Sequence, residues 1–382
     1  MATLALRQNP AFGPLLAAVE KSAIPACIAL ILALQFHHVF VRAINWDEFY
    51  FYSQVEQYVA GRLTAPLQTF HVQLFAWLAA LPGSGVDHIV AGRVVMFAAE
   101  LVTTVSIFRI PAHFTDRRTG LLTVLGYLGS IYVFQHGYAF RVDPLATALT
   151  MSALAIVLTS RMGFIAIGAV AILLGLSGMV TIKAVLLAPA FLGVAWMRWS
   201  EADHAWQFAL RLVACAVGAL AVFGGLHELH SWSMTGPAVT SGMAQAASKA
   251  TVSSSTSYVI ALGLPSFPKY LGGFTLGSMV QVIAILLSPV AILRADLPAA
   301  RKAALAGMLA TALVFFIYRN TLPYFYCFIV PPLLCGAAPK LREMLDEFPV
   351  ALLAGVMSIA PVASWILTPT HLIDRQIGRA HV

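Results

Sequence analysis

Charged side chains are scarce in this chain, so each one that interrupts an apolar stretch is a candidate for chemistry. Of 382 residues, 16 are Asp or Glu and 23 are Lys or Arg. Two of the acids, Asp47 and Glu48, stand side by side in INWDEFYFY (44–52), just after the apolar run IPACIALILALQFHHVFV (24–41). A carboxylate within reach of a hydroxyl can take its proton, although two acids at a helix end are also at home in interfacial water. FRVDPLATALT (140–150) places Arg141 and Asp143 ahead of Pro144, a residue tolerated in the first turn of a helix. Asp143 there suits either the positive end of a helix or a site. Lys183, in GMVTIKAVLLAPAF, falls where two apolar runs meet. A Lys at a helix centre costs roughly 2.5–3.5 kcal/mol to insert, so Lys183 is either the partner of an anion or a snorkelling turn residue. Arg93 lies inside DHIVAGRVVMFAAELV, with Glu100 seven residues on and on roughly the same helix face. That spacing predicts an internal Arg93–Glu100 pair or a polar lining.

The elements that carry these residues are membrane helices. The chain is 60% hydrophobic and 10% charged, with mean hydropathy +0.84, whereas a soluble domain carries about 25% charge. Apolar stretches of about 18–25 residues recur along it, each long enough to cross a bilayer. They fall near 24–43, 87–108, 119–138, 144–160, 163–181, 184–198, 206–226, 271–293, 303–318, 322–338 and 349–367. The expected fold is an all-α polytopic membrane protein of about 11 transmembrane helices. The segment 24–43 reads as a retained helix rather than a cleaved signal. QTFHVQLFAWLAAL (68–81) is too short to span and reads as a juxtamembrane or re-entrant helix; the amphipathic stretch 50–63 reads as lying flat at the interface.

With the N-terminus inside, Arg109, Arg117, Arg118, Arg161, Arg198, Arg211, Arg294, Arg301, Lys302, Lys340 and Arg342 become cytoplasmic, a positive-inside pattern. Asp47 and Glu48 then share the outer face with Arg62, Arg141, Asp143, Lys183, Lys249, Lys269 and Arg319. A first outer loop (44–86) and a long polar outer loop (227–270), read as a mobile lid, belong to that face. The net charge of +7 comes from singly spread cations, with no basic run of the kind that holds nucleic acid. Cys27, Cys215, Cys327 and Cys335 lie in apolar runs without metal spacing, and no metal or other cofactor is expected.

These motifs, in this order, resemble the membrane glycosyltransferases of the GT-C superfamily, in the branch of protein mannosyltransferases, aminoarabinose transferases and Rgt-like enzymes. The shared pattern is an acidic pair after the first helix, an aromatic segment ending in Gly61-Arg62, and a short helix opening at His71. A helix carrying Gly92-Arg93, then Arg141-x-Asp143-Pro144, Lys183 before an apolar helix, and RNTLPYFYCFIVPPLL (319–334) complete it. The likeness spans most of 24–338, and departs from the family where its His-Pro-Pro is here His71-Val72-Gln73. It implies an inverting transferase that takes sugar from a polyprenyl-phosphate donor at the extracytoplasmic face of a bacterial inner (plasma) membrane. Its acceptor would be a lipid, a glycan or a protein. Asp47 would be the general base, with Glu48 orienting the acceptor or sharing the task. Arg141, Lys183 and Arg319 would stabilise the lipid-phosphate leaving group, and Arg62, His71, Arg93 and Asp143 would line the substrate site.

A transporter or flippase is the rival class, but no internal repeat is visible and the exceptional charges gather at one face. A membrane acyltransferase would need a nucleophile paired with one of the histidines, and none stands out. The chain is expected to form one domain over 1–376. IGRAHV (377–382) reads as the one-frame translation of ATCGGAAGAGCACACGTC, a sequencing-adapter string, which marks those residues as non-native and the gene as truncated near residue 376.

Overall fold

The computed structural model describes residues 13–63, 70–233, 267–318 and 321–368. They are almost wholly helical. In chain order the helices are α1 (Gly13–Val41), α2 (Trp46–Val59), α3 (His71–Leu74), α4 (Gly85–Phe114), α5 (Arg117–Leu128), α6 (Ile131–His136) and α7 (Val142–Thr159). There follow α8 (Phe164–Val180), α9 (Ala188–Ser200), α10 (Ala205–Ser233), α11 (Phe267–Gly277), α12 (Met279–Arg294) and α13 (Ala299–Ala310). The last are α14 (Val314–Ile317), α15 (Tyr326–Gly336), α16 (Ala338–Glu347) and α17 (Val350–Leu367).

Each of the eleven expected segments falls on helix. Among the described residues, seven helices are long and apolar enough to cross a membrane, or up to nine if each of two bent pairs is one span. The bent pairs are Tyr270–Gly277 with Met279–Arg294, at 99°, and Pro323–Gly336 with Ala338–Glu347, at 67°. The stretch expected as one helix over 119–138 is instead α5 and α6, broken at Gly129 and Ser130. Ser278 Oγ, from the start of α12, accepts the N–H of Ile131 at 3.1 Å and so satisfies the group that the break exposes. The outer loop expected over 227–270 is shorter at both ends, because 227–233 continue α10 and 267–270 belong to α11. Its centre and the 377–382 tail lie outside the described residues.

Two helices form the centre. In α7, 72% of the apolar window is buried, against 6% in α10, whose side chains point away from the bundle. Every residue of α15 is buried, as expected for a helix apolar all round. α7 packs between α4 and α8, and α15 packs on α7 and α13. The consequence for function is positional: the N-terminus of the central helix α7 delivers Asp143 to one end of the bundle. Lys183 reaches the same end from the 3-10 turn Ile182–Leu187 that joins α8 to α9.

Candidate active site

The segment after α1 is locked to the bundle by Glu48. Asn45 is the N-cap of α2, and its Oδ1 accepts the Glu48 N–H at 3.0 Å while Glu48 Oε2 accepts the Asn45 N–H at 3.1 Å. This reciprocal pair satisfies two of the four orphan donors of a helix start. The same carboxylate accepts from Arg93 Nε at 2.7 Å and Nη2 at 2.6 Å, and from the Phe140 N–H at 2.9 Å. Arg93 spends its remaining donors on the carbonyls of Val39, Arg42 and Ala43. Both side chains are 1% exposed. Burial would raise the Glu48 pKa, but Arg93 and the Asn45 and Phe140 N–H groups outweigh it and hold the carboxyl below its usual range. Gly92 makes the Phe140 contact possible, because a Cβ there would run into the Phe140 ring. The carboxylate predicted beside Asp47 as a second catalytic acid is therefore saturated, and it positions the loop. The expected Arg93–Glu100 pair is also corrected: Arg93 turns to Glu48, and Glu100 accepts from Gln35 Nε2 at 3.0 Å.

Asp47, one residue away, is different. Its side chain is 43% exposed, and it forms an ion pair with Arg141. Arg141 is the N-cap residue of α7 and is 4% exposed; its Nε lies 3.4 Å from Asp143 Oδ2. Asp143 also receives Lys183 Nζ at 2.6 Å. The helix-start role open to Asp143 is thus overlaid by two cations, from its own turn and from the α8–α9 turn. Aromatic faces close the cluster. The Arg141 guanidinium carbon sits 3.4 Å from the centroid of the Tyr324 ring and 5.4 Å from that of Phe51, and Lys183 Nζ lies 5.5 Å and 5.8 Å from Tyr324 and Tyr318. Asp47, Arg141, Asp143 and Lys183, distant in sequence, make one charge network with a single half-open member.

The other predicted residues fall around it. His71 is fully buried, packed between Phe51, Phe75 and Phe140, and burial pushes its imidazole down to about 3, so it is neutral. It packs against Phe51, whose ring also lies near Arg141. Arg62 is exposed in the turn after α2 and takes no part in the network. Arg319 lies outside the described residues. Tyr324, Tyr318 and Phe51 are residues of the cluster that the sequence does not single out. Among the described residues, no group of three or more His, Cys, Asp or Glu is placed to hold a metal ion.

No protein-family model and no curated protein sequence matches the chain. Solved structures do. The aminoarabinose transferase ArnT from Cupriavidus metallidurans, in its crystal structure bound to undecaprenyl phosphate, aligns with TM-score 0.63 at 15% identity, over 85% of this chain. Its apo structure aligns with TM-score 0.55 at the same identity and coverage. The fold is therefore similar to that of ArnT. At 15% identity the likeness is one of fold, and the chain spans 60% of the length of each ArnT structure.

Proposed function

We propose that this chain is a glycosyltransferase that moves a sugar from a polyprenyl-phosphate donor to an acceptor hydroxyl at the extracytoplasmic face of the plasma membrane. The observation that carries the reading is the network itself: one half-open carboxylate, Asp47, beside two buried cations, at the end of a bundle with the GT-C fold. The structure of ArnT with undecaprenyl phosphate supports a lipid phosphate as the donor's carrier.

The parts divide the chemistry. The acceptor oxygen attacks the anomeric carbon as the bond from that carbon to the phosphate oxygen breaks. Asp47 takes the hydroxyl proton, and the bond pair leaves with the lipid phosphate. The sugar ring passes through an oxocarbenium-like state, as in glycoside hydrolysis, and attack opposite the leaving group inverts the anomeric centre. Negative charge grows on the phosphate, where Arg141 and Lys183 stabilise it; a unit charge pair about 4 Å apart at an effective dielectric near 20 interacts by about 4 kcal/mol before desolvation. Asp143 holds both cations in place, and Glu48 and Arg93 hold the turn from which Asp47 projects. Arg62 and Arg319 remain proposed contacts of the donor's sugar or phosphate, and His71 a wall of the site.

The test uses membranes containing the protein, a synthetic undecaprenyl-phosphate sugar and a panel of lipid and glycan acceptors. Wild-type protein is expected to release undecaprenyl phosphate only when an acceptor is present. Asp47→Asn, inserted and expressed normally, is expected to abolish that release; full activity in this variant would remove Asp47 as the base.

A further inference from the structure

Among the described residues, four charges make up the network, and they cancel. Asp47 and Asp143 balance Arg141 and Lys183. A lipid phosphate arriving in this arrangement would meet no surplus cation within the network, and a half-exposed carboxylate already occupying Arg141. Either the anion is held against two carboxylates or one carboxylate gives way.

Burial and partner number decide which one. Asp143 is 1% exposed and is held by Lys183 at 2.6 Å and by Arg141 at 3.4 Å, so freeing it would strand a carboxylate inside the bundle. Among the described residues Asp47 has Arg141 as its only ion-pair partner, and its side chain is 43% exposed, so water can receive it at little cost. Arg141 in turn is fixed from its far side. The Tyr324 ring centroid lies 3.4 Å from the guanidinium carbon, and Asp143 anchors the Arg141 Nε. The guanidinium therefore stays in place when Asp47 departs, and the donor groups that Asp47 vacates are those suited to a phosphate. Glu48, immobilised by Arg93, fixes the backbone next to Asp47, so the released side chain swings about a rigid helix start rather than drifting away.

We propose that Asp47 and Arg141 hold each other in the donor-free protein, and that the lipid phosphate of the donor displaces Asp47 from Arg141 and thereby frees the carboxylate to act as base. This inference rests on the donor reading above and adds a coupling to it: the base becomes available only after the donor phosphate has bound. Donor then precedes acceptor, and an acceptor hydroxyl is not activated over an empty donor site.

The test is a binding cycle with undecaprenyl phosphate titrated into full-length protein in lipid nanodiscs. Asp47→Asn removes the competitor and is expected to bind the lipid phosphate about fivefold tighter than wild type, the factor carried by one partly exposed ion pair. Simple loss of a repelling charge would also tighten binding, and Arg141 separates the two causes. In an Arg141→Gln background, adding Asp47→Asn is expected to bring no further gain; a gain of the same size there would overturn the exchange. Equal affinity of wild type and Asp47→Asn would overturn it as well. No binding of undecaprenyl phosphate to wild type would sink the donor reading itself, and the exchange with it. A second measurement needs no variant. Carbodiimide labelling of the Asp47 carboxylate, read by peptide mass spectrometry, is expected to rise when undecaprenyl phosphate is added. A fall or no change, with binding confirmed in the same sample, would contradict release.

Discussion

The clamp between Glu48 and Arg93 makes a prediction that separates two accounts of the same arginine. Arg93→Met removes the cation and keeps the bulk of its aliphatic stem. It leaves Glu48, 1% exposed, with the Asn45 and Phe140 N–H groups as its remaining partners. Breaking a buried ion pair in this way costs about 3–5 kcal/mol, because the surviving charge is uncompensated. The two lost contacts at 2.6 Å and 2.7 Å place the loss toward the upper end. Glu48→Gln in the same chain removes the stranded charge, and a Gln at this position still closes the capping arrangement with Asn45. The double variant is thus expected to be more stable than Arg93→Met alone. Reversible unfolding in mixed micelles, followed by tryptophan fluorescence, measures all four corners of the cycle, and a second cycle pairs Arg93 with Glu100. The expected coupling is more than about 1 kcal/mol for Glu48 and within about 0.5 kcal/mol of zero for Glu100. Strong coupling to Glu100, with none to Glu48, would refute the reasoning and return Arg93 to the helix-face pair.

Lys183→Ala is expected to raise the apparent KM for the lipid donor at least tenfold in the transfer assay, since Asp143 would then bind Arg141 alone; an unchanged donor dependence would make Lys183 a packing residue. Tyr324→Leu is expected to weaken donor use by about 0.5–2 kcal/mol through loss of the ring under Arg141, with Tyr324→Phe close to wild type; equal loss in both would assign the effect to the hydroxyl. His71 sets a pH dependence. Its folded pKa is about 3 against an ordinary 6.5, so as pH falls below about 6.5 the unfolded chain gains the proton first and stability declines until about pH 3. Thermal melts between pH 7 and pH 4 should show a shallower acid decline in His71→Leu than in wild type, and parallel curves would contradict a buried neutral imidazole.

The network was legible in the sequence because charge is so scarce there. Once the apolar runs were threaded across a bilayer, Asp47, Arg141, Asp143 and Lys183 could only fall at the same end, and the structure joins them. The partner of Arg93 was not legible. Seven residues along a helix share a face but stand about 10.5 Å apart along its axis, beyond a comfortable reach, while the Asn45–Glu48 turn folds back over Arg93 and its carboxylate arrives from another segment. Periodicity sees one helix at a time. The break between α5 and α6 was hidden for the same reason: LLTVLGYLGSIYVF is mostly apolar, and the acceptor that meets the Ile131 N–H at the break is Ser278, from a distant part of the chain. Tyr324 escaped because an aromatic residue among aromatics carries no signal of its own until Arg141 is seen resting on it.

The most direct test of the account is to identify the product. Purified protein in nanodiscs, given an undecaprenyl-phosphate sugar and candidate acceptors, is analysed by mass spectrometry. The predicted result is an acceptor heavier by one sugar unit, with inverted anomeric configuration and one undecaprenyl phosphate released per transfer, and neither product from Asp47→Asn. Intact donor appearing on the opposite side of the membrane, with no modified acceptor, would contradict it and assign the chain to transport instead.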